Sequence, residues 1–170
     1  MTLTTHTIEQ TLELGRAIGQ LAPATAVTCV ALDGPLGAGK THLARGIAEG
    51  AAVDDPTLVS SPTYVLLNIY AGPKPVFHLD AYRIASSEDF AAIGFEEILA
   101  GESPTAAAGG IVVVEWATKI ADLLPADRLE IAIEHAGEAE ALERIFAITA
   151  TGPASRSVLE SLAIQFQIKG

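Results

Sequence analysis

Apolar residues recur along this chain in two rhythms, one near the helical period and one near the alternation of a strand. Residues 8 to 22, IEQTLELGRAIGQLA, set Ile8, Leu12, Ile18 and Leu21 at approximately helical spacing and predict a first helix. VTCVALDG, residues 27 to 34, is short, apolar and β-branched, which reads as a buried strand ending at Gly34. THLARGIAEG returns to helical spacing through Leu43 and Ile47 and stops at Gly50. Further on, the Gly-Pro-x-Pro turn of AGPKP separates two strand-like runs and predicts a hairpin of Tyr64 to Tyr70 with Val76 to Asp80. SSEDFAAIGFEEILA predicts an acidic helix that Ser86 or Ser87 can cap, and GESPTAAAGG a small, polar loop. IVVVEW is a continuous apolar run closed by an acid, as expected of a central strand covered on both faces. RLEIAIEH places Leu129, Ile131 and Ile133 on one face, and RIFAITA reads as its antiparallel partner.

Composition narrows the class. A chain of 170 residues with 49% hydrophobic and 18% charged residues is globular and long enough for one well-filled core. Residues 1–150 read as one domain, and 151–170 as a helical C-terminal extension packed on it, with the helix at about 154 to 166. A net charge of -11 argues against direct wrapping of nucleic acid, which needs a basic face to neutralise phosphates. The start MTLTTHTIEQ has neither a basic segment nor an apolar run, and no stretch reaches the roughly 18 apolar residues of a membrane span. A soluble, cytoplasmic protein is expected. Cys29, the single cysteine, excludes an intrachain disulfide and lies inside an apolar strand as a small core residue.

Chemistry is concentrated between the second predicted element and the third. In DGPLGAGKTH, residues 33 to 42, Gly34, Gly39, Lys40 and Thr41 fill the pattern G-x-x-x-x-G-K-S/T. Backbone N–H groups converge in such a loop, and the helix that follows adds partial positive charge at its start. On this reading the amides of Gly37, Ala38 and Gly39 wrap a β-phosphate, and Lys40 reaches the β and γ oxygens as a point charge. Thr41 gives its hydroxyl to Mg2+, and the His42 amide lies near the α-phosphate. A magnesium-nucleotide site also calls for an acid at the end of a neighbouring strand. Glu115 ends IVVVE and Asp80 ends VFHLD, and both are also residue types that close strands and cap turns for structural reasons. The guanine-reading pattern Asn/Thr-Lys-x-Asp has one near match, TKIA at 118 to 121, with Ala121 where the acid belongs. Asn68 is the sole asparagine, so ATP is the expected nucleotide.

LGAGKT, SSPTY, HLDAYR with a following IGFEE, and VVVEW, in this order and at these spacings, resemble the TsaE family of bacterial ATPases. These support threonylcarbamoylation of the adenosine beside the tRNA anticodon. The resemblance covers roughly residues 8 to 150. It implies an α/β, P-loop NTPase-like three-layer fold with a mixed, mainly parallel central sheet plus antiparallel hairpins. It implies a Mg-dependent ATPase, weak alone and partner-dependent, with ATP and Mg2+ as cofactors. The implied partner is the TsaB-TsaD heterodimer, and tRNA is reached only indirectly through that complex. Carried onto this sequence, Asp80 and Glu115 are catalytic, and Thr41 and Glu115 hold the metal. Ser61, Pro62 and Thr63 form a first switch sensing the γ-phosphate; Asp80, Tyr82 and Arg83 form a second, with Trp116 as the characteristic neighbour of the acid. Pro35 stands where the family usually has an acid, and His42 where it commonly has a hydroxyl residue. Proline brings no N–H to the loop, whereas the amides after Leu36 are unaffected.

Two other classes share the loop. A small-molecule kinase would clamp phosphates with a lid usually rich in arginine, and GESPTAAAGG contains no basic residue. A nucleotide-dependent switch with negligible turnover is compatible with every motif. Tyr82 and Trp116 are also the residue types that fill cores, His78 reads as a strand residue satisfied by hydrogen bonds, and Arg83 can be a surface ion-pair member.

Overall fold

The computed structural model describes residues 1–62, 66–84, 93–104, 106, 109–137 and 142–167. The strands are β1 (Thr2–Thr5), β2 (Val27–Asp33), β3 (Leu67–Tyr70), β4 (Val76–Asp80), β5 (Gly110–Glu115), β6 (Leu129–His135) and β7 (Arg144–Ala150). The helices are α1 (Ile8–Leu21), α2 (Lys40–Gly50), α3 (Phe95–Leu99) and α4 (Pro153–Gln167). The strands form one sheet in the order β1-β7-β6-β2-β5-β4-β3. Its centre, β6-β2-β5-β4, is parallel, and the antiparallel pairs β3–β4, β6–β7 and β1–β7 close it on both sides. A mixed α/β sheet, parallel at its centre and flanked by antiparallel pairs, is the architecture the resemblance implied.

Each face of the sheet is covered. Val30, Leu32, Ile111, Val113, Ile131, Ile133, Phe146 and Ile148 meet Leu14 and Ile18 of α1, Leu43 and Ile47 of α2, and Val158 and Leu162 of α4. The alternate residues Cys29, Ala31, Phe77, Leu79, Val112 and Val114 meet Phe95 and Ile98 of α3, Ala117 and Ile120 of the 3-10 segment Ala117–Leu123, and Leu124 just after it. All six residues of β5 are buried, as its unbroken apolar run requires, because it has a layer on either side. In β6 only the face bearing Leu129, Ile131 and Ile133 is buried, so alternation survives in the sequence. No helix of the described residues is long and apolar enough to cross a membrane.

Helices α1 and α2 touch through backbone. Gly15 and Gly19 of α1 face Gly46 and Gly50 of α2, and a Cβ built on any of the four would lie under 3.0 Å from main-chain atoms of the other helix. Lys74, in the turn between β3 and β4, donates to the carbonyls of Gly19, Gln20 and Ala22 and so caps the open end of α1.

Two boundaries differ from expectation. The first hairpin strand starts at Leu67 because Leu66 has a left-handed backbone (φ 69), which strand pairing does not accommodate; residues 63–65 lie outside the described set. The serines proposed to cap the acidic helix, Ser86 and Ser87, also lie outside it, and the helix described there is α3. Strand β1 has too short and polar a sequence to announce itself; it forms because β7 offers an open edge, against which Thr2 to Thr5 pair residue by residue.

Cys29 is buried in β2, and burial pushes its thiol up to about 12. The folded protein is therefore expected not to react with an aromatic disulfide reagent at mildly alkaline pH, and to take up a single equivalent once guanidinium exposes the strand. Stoichiometric labelling of the folded protein would contradict the burial.

Candidate functional site

The four parallel strands end at one edge of the sheet, and the chain leaves β2 there into the loop that opens α2. This is the position at which open α/β sheets bind ligands, outside the carboxyl ends of the strands. Three loop glycines take conformations that other residues rarely adopt: Gly34 (φ 151), Gly37 (φ 77) and Gly39 (φ 100). They serve different ends. A Cβ on Gly34 would lie 2.4 Å from the Ile133 carbonyl, so this glycine lets the loop pass against β6. A Cβ on Gly37 or Gly39 would meet nothing within 4 Å; these two face open space.

That space is a cleft of about 450 Å³ lined by the loop residues Leu36 to His42 and by Ser61, Asp80, Tyr82, Glu115 and Trp116. Asp80 and Glu115 close adjacent parallel strands in direct register, and both are buried. One oxygen of Glu115 accepts from the Thr41 hydroxyl and from His78 Nε2, each at 2.9 Å. His78 is fully buried, and its Nδ1 has no hydrogen-bond partner among the described residues. With the proton on Nε2, Nδ1 is left as a bare lone pair, which costs less in a core than an orphaned N–H. The expectation that hydrogen bonding satisfies this histidine therefore holds for one nitrogen only. Asp80 accepts from the Tyr82 amide at 2.9 Å and from the Ser61 hydroxyl at 3.2 Å, joining the segments read as two switches.

Lys40 is buried, and its ammonium donates to the carbonyls of Gly34 (2.7 Å) and Pro35 (3.0 Å). Pro35, which costs the loop an N–H, thus supplies an acceptor for the lysine. The ammonium also lies 3.8 Å from the centre of a Trp116 ring. Desolvation holds the Lys40 pKa below its ordinary value, against the opposing pull of Glu115, Asp80 and Asp33. Trp116 has a left-handed backbone (φ 59, ψ 40), which aims its ring back over the cleft, where it packs on Tyr82 at 5.2 Å. Trp116 also packs against the second core, so it takes part in both. Tyr82 is half exposed at the cleft, and Leu36, which also lines it, is largely exposed. Burial first, then Arg45 and Arg144, hold the His42 imidazole below its usual pKa.

Of the residues singled out in the sequence, Gly37, Ala38, Gly39, Lys40, Thr41, His42, Ser61, Asp80, Tyr82, Glu115 and Trp116 line this one cleft. Arg83 ends the same short turn as Tyr82 but is exposed and does not line it. Thr63 lies outside the described residues. Missed were Arg144 of β7, which donates to the carbonyls of Gly37 and Ala38, and Lys119, which donates to the Tyr82 carbonyl. Arg144 sits in no motif and Lys119 only in the incomplete guanine-reading match; each reaches its partner through the fold.

The residues fit magnesium delivered with a nucleotide. No group of three or more His, Cys, Asp or Glu among the described residues is placed to hold a metal ion by itself. A hydroxyl and one or two carboxylates beside an open phosphate cradle match an ion that keeps waters and takes its other ligands from phosphates.

Comparison with known proteins places the fold and the sequence in a family. The sequence model of the family described as threonylcarbamoyl adenosine biosynthesis protein TsaE matches residues 5–145. The TsaE proteins of Bacillus subtilis (36% identical, covering 87% of each chain) and Mycobacterium leprae (39%, covering 75% of this chain and 78% of the other) are among its relatives. The crystal structure of Bacillus subtilis YdiB superposes with a TM-score of 0.73 at 29% identity, over 98% of this chain and 95% of the other. With a P-loop α/β fold and this extent of likeness, the chain belongs to the TsaE family of threonylcarbamoyl adenosine biosynthesis proteins.

Proposed function

We propose that this protein binds MgATP at residues 34–42 and hydrolyses it, supporting threonylcarbamoyl transfer to the adenosine next to the tRNA anticodon together with a TsaB-TsaD heterodimer. One observation carries the reading: the open space over Gly37 and Gly39 is bounded by Lys40, Thr41 and the registered acids Asp80 and Glu115. The net charge of -11 favours tRNA contact through partners.

The chain's own residues divide the work. Amides of Gly37, Ala38 and Gly39 receive the β-phosphate, that of Ala38 on leaving the Pro35 carbonyl, and Lys40 leaves the Gly34 and Pro35 carbonyls for phosphate oxygens, which its flexible stem permits. Magnesium, when bound with ATP, neutralises charge that develops on the β- and γ-phosphates. Thr41 and Glu115 are the residues to hold it, with His78 fixing the carboxylate. Asp80 is the acceptor placed to orient a water, and its bond to Ser61 ties that orientation to the first switch.

The test is ATP hydrolysis and multiple-turnover tRNA modification by the purified protein, alone and with TsaB and TsaD, for the wild type and Glu115→Gln. Gln keeps acceptors for Thr41 and His78 while removing the charge. We expect hydrolysis to fall roughly 10- to 100-fold with little change in melting temperature. Wild-type rates in the variant would remove Glu115 from the metal site. ATP consumption that requires an added small phosphate acceptor would replace the reading by a kinase.

A further inference from the structure

The phosphate loop is gripped from outside by a residue of the last strand. Strand β7 runs antiparallel to β6, and β6 parallel to β2, so Arg144 at the start of β7 stands at the edge from which the loop leaves. Its guanidinium donates from Nε to the Ala38 carbonyl and from Nη2 to the Gly37 carbonyl, both at 3.2 Å, and from Nη1 to the Glu143 carbonyl at 2.8 Å. Arg144 does not line the cleft.

The two loop carbonyls belong to the peptide planes whose N–H groups are those of Ala38 and Gly39. A trans peptide directs its C=O and N–H to opposite sides. A group that fixes both carbonyls outward therefore sets the direction of both N–H groups: that of Ala38 meets the Pro35 carbonyl at 3.2 Å across a turn, and that of Gly39 is left on the cleft side. Gly37 and Gly39 need this help, because glycine backbones have the widest choice of orientation. A planar fork holds two acceptors in one geometry, which an ammonium on a flexible stem does less well. Its charge also polarises each peptide it touches and strengthens the opposite N–H as a donor.

We infer that Arg144 is a positioning residue of the phosphate loop, holding the Gly37 and Ala38 carbonyls so that the turn between them keeps its shape and the Gly39 amide faces the β-phosphate of a bound nucleotide. The inference rests on the nucleotide-binding reading given above.

ADP titration by calorimetry, with amide nitrogen–proton spectra of the nucleotide-free proteins, tests it in the wild type, Arg144→Met and Arg144→Lys. Loss of two charge-assisted hydrogen bonds should weaken ADP binding about tenfold in the Met variant, with the Lys variant in between. In both, the amide resonances of Ala38 and Gly39 should move upfield as their carbonyls lose a cationic donor. If the Met variant fails to fold, the Lys variant, which keeps charge and stem but not the fork, decides. ADP affinity within about twofold of wild type in the folded variants overturns the inference alone. Weaker binding with those two resonances unmoved assigns the loss to general loosening and overturns it as well. Wild-type protein that does not bind ADP removes the nucleotide reading and this inference with it.

Discussion

Lys40→Ala is expected to lower ATP affinity by roughly two to four orders of magnitude, because charge-assisted hydrogen bonds to phosphate are worth about 1.5–3 kcal/mol each and Lys40 is placed to make two. The folded state should change far less. Without nucleotide the ammonium rests on the Gly34 and Pro35 carbonyls at the wall of an open cleft, which water can rehydrate. Its removal also relieves the desolvation that depresses its pKa, although it takes a cation away from Glu115 and Asp80. These opposed effects leave a stability loss of about 1 kcal/mol, a few degrees in melting temperature. Calorimetric titration beside a thermal melt separates the two quantities. Affinity within about threefold of wild type would deny Lys40 its phosphate role.

Gly19→Ala should destabilise the protein by about 2 kcal/mol, against what helix propensity alone predicts. In an isolated helix the change would gain up to about 1 kcal/mol. Here the new Cβ would lie 2.2 Å from the Ile47 carbonyl oxygen and 2.8 Å from the Ala51 nitrogen, and backbone atoms inside a helix cannot swing aside as a side chain can. Helices α1 and α2 would have to part, loosening Leu14 and Ile18 from Leu43 and Ile47, and overpacking of this kind costs about 3 kcal/mol. Because α2 begins with Lys40 and Thr41, the displacement should reach the phosphate loop and weaken nucleotide binding too. Urea denaturation reads the first effect; a variant as stable as the wild type would show that the helices yield freely.

Much of the site was legible in the sequence because its chemistry is local. A loop that turns on Gly34, Gly37 and Gly39 and presents Lys40 and Thr41 from the first turn of a helix needs only ten consecutive residues. Alternation and apolar runs announced β2, β5, β6 and β7 for the same reason, since burial of a strand face follows directly from side-chain period. Strand β1 was silent: four residues with a single large apolar side chain carry too little pattern, and its partner β7 (Arg144–Ala150) lies at the far end of the chain.

Asp80 and Glu115 were each suspected as strand-end acids, but their meeting depends on the register of β4 against β5. The bond from His78 to Glu115, 37 positions apart, needs that same register. The pairs Gly15 and Gly19, and Gly46 and Gly50, were visible as glycines one helical turn apart, yet only the docking of α1 on α2 gave that spacing its meaning. Arg144 is the extreme case, reaching Gly37 and Ala38 across 107 and 106 positions through the antiparallel return of β7.

The sequence by itself determined the phosphate loop, the candidate acids and the layering of the fold, because dihedral preference and side-chain period act over a few residues. Only the tertiary structure decided which acids share a cleft, how closely two helices approach and which arginine holds the loop, because those contacts exist only after distant segments have been brought into register.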